Sequence, residues 1–260
     1  MNIAVVTLSE QGARLAGRLA DRLQPCDVFI HQDVTVTTDA HTFASVVELT
    51  ERLFVAYRRL VYILPVGVAV RAVAGCVRDK RSDPAVVVVD VGGRWAISLL
   101  SGHEGGANEL AMLVANALGA EPVVTTTTEA VKDLIVGVGC RRGTVAGDIV
   151  AAVREGVSLA GFDLARVRTL ASADIKASEV GLWEAARELG LPLRLIPADE
   201  IRHTPRAFEH SDLVWKKVDM PAVAEPAALL AGRRTQLILS RQILHKVTVA
   251  VARESCMSLE

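Results

Sequence analysis

The sequence predicts an α/β protein made of two α/β domains with mainly parallel sheets flanked by helices. Three observations lead there. Short β-branched runs alternate with stretches whose apolar residues recur at helical spacing, the pattern of crossover units in a parallel sheet. The length of 260 residues suits one large domain or two modest ones. With 51% apolar and 23% charged residues, the chain can bury a sizeable core.

In the first half, Ile3–Thr7 is a buried-strand run. Gly12, Leu15, Ala16, Leu19, Ala20 and Leu23 then share one helical face, with Arg14, Arg18 and Arg22 on another. Residues 28–31 read as a strand, 44–58 as a helix, 60–64 as a strand and 67–77 as a helix. A charged loop follows at 78–84. Residues 85–90 and 95–100 flank Gly92-Gly93 and predict a β-hairpin. A helix through Leu110, Leu113, Val114, Ala117 and Leu118 should stop at Gly119, and 122–126 read as a strand.

A second unit is expected from Leu134, giving domains 1–133 and 134–260. Residues 134–138 read as a strand and 139–143 as a loop, with Thr144 as the cap of a helix reaching about Glu155. Strands at 166–171 and 193–196 bracket a helix at 179–189. Residues 203–217 look irregular and charged. Segments 227–231, 236–239 and 246–252 continue the alternation. The two parts carry unlike charge, net −3 over residues 1–130 and net +2 over the rest.

Composition removes several classes of function. Near-cancelling charge (29 basic, 30 acidic) and 4% aromatics argue against a nucleic-acid binder. No apolar run is long enough to span a bilayer, and the start lacks a signal-peptide pattern, so a cytoplasmic protein is expected. Cys26, Cys76, Cys140 and Cys256 are too scattered for a zinc site or a disulfide framework. His103-Glu104 begins a zinc-protease motif, but Ala107 stands where its second histidine belongs, so no metal ligand set is assigned. The remaining histidines (His31, His41, His203, His210 and His245) show no ligand spacing. No G-x-S-x-G elbow occurs.

Two glycine-bearing turns carry the chemistry. Ser101-Gly-His-Glu-Gly-Gly-Ala-Asn108 leads from a strand into a helix whose first turn is expected to hold His103, Gly105, Gly106 and Asn108. Glycines there cost about 1 kcal/mol each relative to alanine, so they suggest a ligand close to the backbone. Free N–H groups at a helix start favour an anion, and His103 suits proton transfer near neutral pH. Close strand–helix packing explains the same glycines equally well. The second turn, Gly139-Cys-Arg-Arg-Gly-Thr144, has the wrong spacing for a dinucleotide or P-loop fingerprint. Arg141 and Arg142 suit bidentate carboxylate binding, or they are solvated arginines on a tight turn. Cys140 is read first as packing. Arg71, Asp79, Lys80, Asp83, Asp174, Lys176 and Glu179 are candidate charges, and Glu225 is either a helix-start residue or an acid–base group.

Together these blocks resemble the CbiG family, the cobalt-precorrin-5A hydrolases of anaerobic cobalamin biosynthesis. The resemblance runs through Pro65-Val-Gly-Val-Ala-Val-Arg71, the stretch from Asp79 to Asp90, the Ser-Gly-His block, the Gly-Cys-Arg-Arg-Gly block, Leu170-Ala-Ser-Ala-Asp-Ile-Lys-Ala-Ser-Glu179 and Glu225-Pro-Ala-Ala-Leu-Leu230. The chain resembles a compact form, because the middle segment of many family members is missing between Thr125-Thr-Thr-Thr128 and Gly137. Residues 203–217 and 254–260 match no family pattern.

The resemblance implies a hydrolase acting on a ring-contracted cobalt tetrapyrrole. Water opens a δ-lactone, acetaldehyde leaves, and cobalt-precorrin-5B results. Cobalt belongs to the substrate, so no cofactor is implied. On this reading His103 and Glu225 are catalytic. Arg71, Lys80, Ser101, Gly102, Gly105, Gly106, Asn108, Cys140, Arg141, Arg142, Lys176 and Glu179 meet the substrate. Backbone N–H groups at Gly105 and Gly106, helped by Asn108, would steady the oxyanion. The expected partner is the tetrapyrrole, with no nucleic acid and no membrane; a homodimer or contact with other cobalamin-pathway enzymes stays open. A non-catalytic tetrapyrrole carrier is the alternative, and a nucleotide-dependent enzyme ranks last.

Overall fold

The computed structural model describes residues 2–35, 40–208 and 222–257. The chain forms two units, Met1–Thr126 and Thr127–Glu260. The second begins a few residues ahead of the boundary at 133/134 read from the sequence.

The first unit contains β1 (Ile3–Thr7), α1 (Glu10–Arg22), β2 (Cys26–His31), β3 (His41–Phe43), α2 (Val46–Ala56), β4 (Arg59–Ile63), α3 (Val66–Val73), β5 (Ala85–Val89), β6 (Trp95–Leu100), α4 (Ala107–Leu118) and β7 (Glu121–Val123). Its sheet runs β3-β2-β1-β4-β5-β6-β7. Every pair is parallel except β5 and β6, which form the hairpin that Gly92-Gly93 predicts. Side chains alternate across a strand, so Ile3 and Val5 enter one core with Leu19, Leu110 and Val114. Ala4 and Val6 enter the other with Leu49, Leu53 and Tyr62. Both faces are covered, and β5 (Ala-Val-Val-Val-Val) is buried throughout. The Ser9 and Ser45 hydroxyls cap α1 and α2 by accepting the Gly12 and Glu48 N–H groups.

The second unit contains α5 (Thr127–Ala130), β8 (Leu134–Gly139), α6 (Ala146–Leu159), β9 (Val167–Ala173), α7 (Val180–Leu189), β10 (Leu193–Ile196), α8 (Ala198–His203), α9 (Ala224–Leu230), β11 (Thr235–Leu244) and β12 (Val247–Glu254). Its sheet runs β10-β9-β8-β12-β11, parallel across the first three strands and antiparallel across the last two pairings. One core gathers Val136, Ile149, Val153 and Leu182; the other gathers Ile135, Ile196, Ile201 and Leu229. Gly137 lets α9 lie directly on the sheet, since a Cβ there would come 1.8 Å from the Ala224 carbonyl oxygen. Buried Asp133, just before β8, accepts from Arg166 Nε (3.0 Å) and Arg253 Nε (2.8 Å).

Several readings need correction. The last segments do not continue the alternation; β11 and β12 form an antiparallel hairpin. Its turn places His245 and Lys246 at φ +48° and +63° without the Asn-Gly or Asp-Gly signature that would announce it. The three-residue β3 and the short α5 and α8 leave too little periodicity to read, and α8 takes the start of the segment expected to be irregular. Residues 209–221, including His210, lie outside the described residues, as do 258–260. Thr144 does not cap α6. Val145 holds that position, and the Thr144 hydroxyl donates instead to the Arg141 carbonyl at 2.8 Å.

Candidate functional site

The turn after β6 differs in one respect from its sequence reading. Helix α4 begins only at Ala107, so His103, Gly105 and Gly106 precede it and Asn108 alone lies in its first turn. The chain reverses at Ser101, a non-glycine residue at φ +59°, and enters the helix through Gly106 at φ +85°. The Ser101 carbonyl accepts both the Gly105 and the Ala107 N–H (3.1 Å each), and the Gly102 carbonyl accepts the Asn108 N–H at 2.9 Å. A Cβ on Gly105 would lie 2.3 Å from Ser101 Cβ, so the glycine answers a packing demand.

Those bonds redistribute the expected oxyanion donors. The Gly105 N–H is spent inside the turn. The Asn108 side chain is held at both ends, its oxygen accepting from the Ser98 hydroxyl (2.8 Å) and its amide donating to Thr126 Oγ1 (3.0 Å). Ser98 and Thr126 escaped the sequence reading because their link exists only across the folded turn. The Gly106 N–H is outside this internal set. Ser101 is 7% exposed, and its hydroxyl is buried without a hydrogen-bond partner. His103 stands exposed at the tip. Beside it, Lys80 reaches Glu104 at 2.6 Å, a surface pair that pulls the Glu104 carboxyl below its ordinary range. Arg71 stays apart, its guanidinium donating to the Gly67 carbonyl of its own helix.

In the second unit the parallel strands β8 and β9 end side by side, which brings the Gly-Cys-Arg-Arg-Gly turn to Lys176 and Glu179. Glu179 accepts the Gly143 N–H at 3.0 Å and faces Lys176 Nζ at 3.7 Å. Arg141 and Arg142 are exposed, and among the described residues neither guanidinium has a carboxylate partner. Cys140 packs against the core, and burial pushes its thiol up, opposing a nucleophilic role. Glu225 is 2% exposed and accepts the Arg241 N–H at 2.9 Å, so its carboxylate serves the β11 edge rather than open solvent. Among the described residues no helix is long and apolar enough to cross a membrane, and no group of three His, Cys, Asp or Glu side chains is placed to hold a metal.

Two family domains match the chain: Cobalamin synthesis G N-terminal over residues 48–129 and Cobalamin synthesis G C-terminus over 134–252. The chain belongs to the CbiG family. Both glycine-bearing turns fall within the matched segments. Cobalt-precorrin-5A hydrolase of Priestia megaterium is 26% identical, with 96% of this chain and 94% of that protein covered. That alignment runs over 352 residues, so the relative holds sequence with no counterpart in this CbiG protein. Cobalt-precorrin-5A hydrolase of Salmonella typhimurium is 35% identical over 90% of this chain, which spans 64% of that protein's length. Protein CobE of a Sinorhizobium species is 30% identical over 52% of this chain and 88% of its own.

Proposed function

We propose that this CbiG protein is a cobalt-precorrin-5A hydrolase. Water adds to the δ-lactone carbonyl, and the ring oxygen leaves to give a carboxylate and a hydroxyl on the extruded carbon. Loss of that hydroxyl proton, with cleavage of the bond to the macrocycle, releases acetaldehyde; the bond's electron pair and a proton stay on the macrocycle. The observation that carries the reading is the turn at residues 101–108. It holds an exposed imidazole on a backbone fixed by its own hydrogen bonds. His103 moves the protons. Gly106 N–H takes over the oxyanion role, since Gly105 and Asn108 are already engaged and the Ser101 hydroxyl is buried inside the turn. Arg141 and Arg142 supply positive charge for ring carboxylates, whereas Lys80 and Lys176 are already paired with Glu104 and Glu179.

The test is anaerobic incubation with cobalt-precorrin-5A, with acetaldehyde read through a coupled NADH-consuming dehydrogenase. Stoichiometric release is expected, and His103→Ala should lower turnover by roughly 10²–10⁴-fold, the usual worth of a general acid–base group. Full turnover in a folded His103→Ala variant removes this role for the imidazole. Corrinoid binding without release returns the carrier reading.

A further inference from the structure

An open cavity of about 380 Å³ lies beside the arginine turn of the second unit, lined in part by Arg142, Val145, Glu179, Val180 and Glu184. Two of its residues are out of place by ordinary rules. Val145 is the N-cap of α6, and Val180 opens α7. Position N-cap favours Ser, Thr, Asp or Asn and disfavours valine. The valines are nonetheless 62% and 67% exposed, on two different helices, facing one cavity. Thr144, a better cap, is adjacent, yet its hydroxyl holds the Arg141 carbonyl. Ile175, two residues after β9, is also exposed.

We infer that this cavity seats one edge of the tetrapyrrole, with Val145 and Val180 against the flat apolar ring and Arg142 on a peripheral carboxylate. The inference rests on the hydrolase reading and names residues for its substrate. The volume is near the lower end of small-molecule pockets, which fits an edge and not a whole macrocycle. Charge complementarity selects an anionic amphiphile, because the Arg142 guanidinium has no carboxylate of its own among the described residues. Glu179 does not repel it strongly, being neutralised by Lys176 and the Gly143 N–H. Glu184 is exposed on the same cavity and disfavours a second carboxylate there, which orients the ligand.

The probe is uroporphyrin, an octacarboxylate tetrapyrrole, titrated by fluorescence against the full chain, alongside the acetaldehyde assay. Val145→Ser and Val180→Ser should each weaken binding about tenfold, the worth of a valine side chain's contact area. Both residues are exposed, so Val180→Ser should melt with the parent and Val145→Ser, which installs a better N-cap, no lower than it. Arg142→Gln should weaken binding by a similar factor. Glu184→Gln should tighten it, a gain that misfolding cannot produce. Unchanged porphyrin affinity in both valine variants overturns the inference while acetaldehyde release keeps the hydrolase reading. A changed oligomeric state with unchanged affinity also overturns it, in favour of a protein contact. No porphyrin binding and no acetaldehyde from the parent chain overturns both.

Discussion

The turn at residues 101–108 and the turn at residues 139–144 both follow a strand, both carry glycines and both precede a helix, yet they are built oppositely. In the first, three backbone N–H groups close onto two carbonyls, and Asn108 ties Ser98 to Thr126. In the second, two side chains do most of the holding, the Thr144 hydroxyl on Arg141 and the Glu179 carboxylate on Gly143, while the arginines stay unspent. A turn that satisfies itself fixes positions. A turn held by side chains presents charge.

That contrast is sharpened most strongly away from both turns. The second unit places its tightest ion cluster at the opposite end of β8, where Asp133 is 1% exposed between Arg166 and Arg253. Asp133→Asn should destabilise toward the low end of the about 3–5 kcal/mol expected for breaking a buried pair, because both guanidinium groups are partly solvated. Chemical denaturation measures it. Burial pushes the Asp133 carboxyl up, but hydrogen bonds and charge from the two arginines outweigh this and hold it low. A depressed carboxyl stabilises fully above its unfolded value, about 4, and loses that contribution as pH falls through the folded one. The parent should therefore lose stability in acid more steeply than Asp133→Asn; equal slopes would deny the cluster its role.

Next in size is Gly105→Ala. Its Cβ would collide with Ser101, so about 1–3 kcal/mol of overpacking strain is expected, with turnover falling alongside. Asn108→Ala removes two neutral hydrogen bonds and should cost about 1–2 kcal/mol, seen as a lower Tm. The smallest stability effect belongs to Thr144→Val, about 1 kcal/mol or less, since one half-exposed hydrogen bond is lost. Its consequence should appear instead as a raised KM with kcat retained. If Asn108→Ala raised KM alone and Thr144→Val lowered Tm alone, the contrast between the turns would be reversed.

Most strands and helices could be read directly because their causes are local. Ile3–Thr7 and Ala85–Val89 are β-branched runs, and the helical faces of α1 and α4 repeat at the right spacing. The hairpin at β5 and β6 announced itself through Gly92-Gly93, whereas the one at β11 and β12 did not, because His245 and Lys246 adopt left-handed backbone without a glycine. The two motif turns were legible as places of interest. Their internal wiring was not, since Ser98, Asn108 and Thr126 are separated in sequence and meet only when β6, α4 and the segment after β7 pack.

By itself, then, the sequence determined the α/β class and the family, because hydrophobic period, glycine placement and motif blocks are properties of neighbouring residues. Tertiary structure alone decided which donors remain available. It spent the Gly105 N–H and the Asn108 amide inside their turn, buried Glu225 under the β11 edge, left the Ser101 hydroxyl uncommitted and set Val145 and Val180 on one cavity. The reason is that a polar group's availability depends on every neighbour able to satisfy or bury it, and most of those neighbours are distant along the chain.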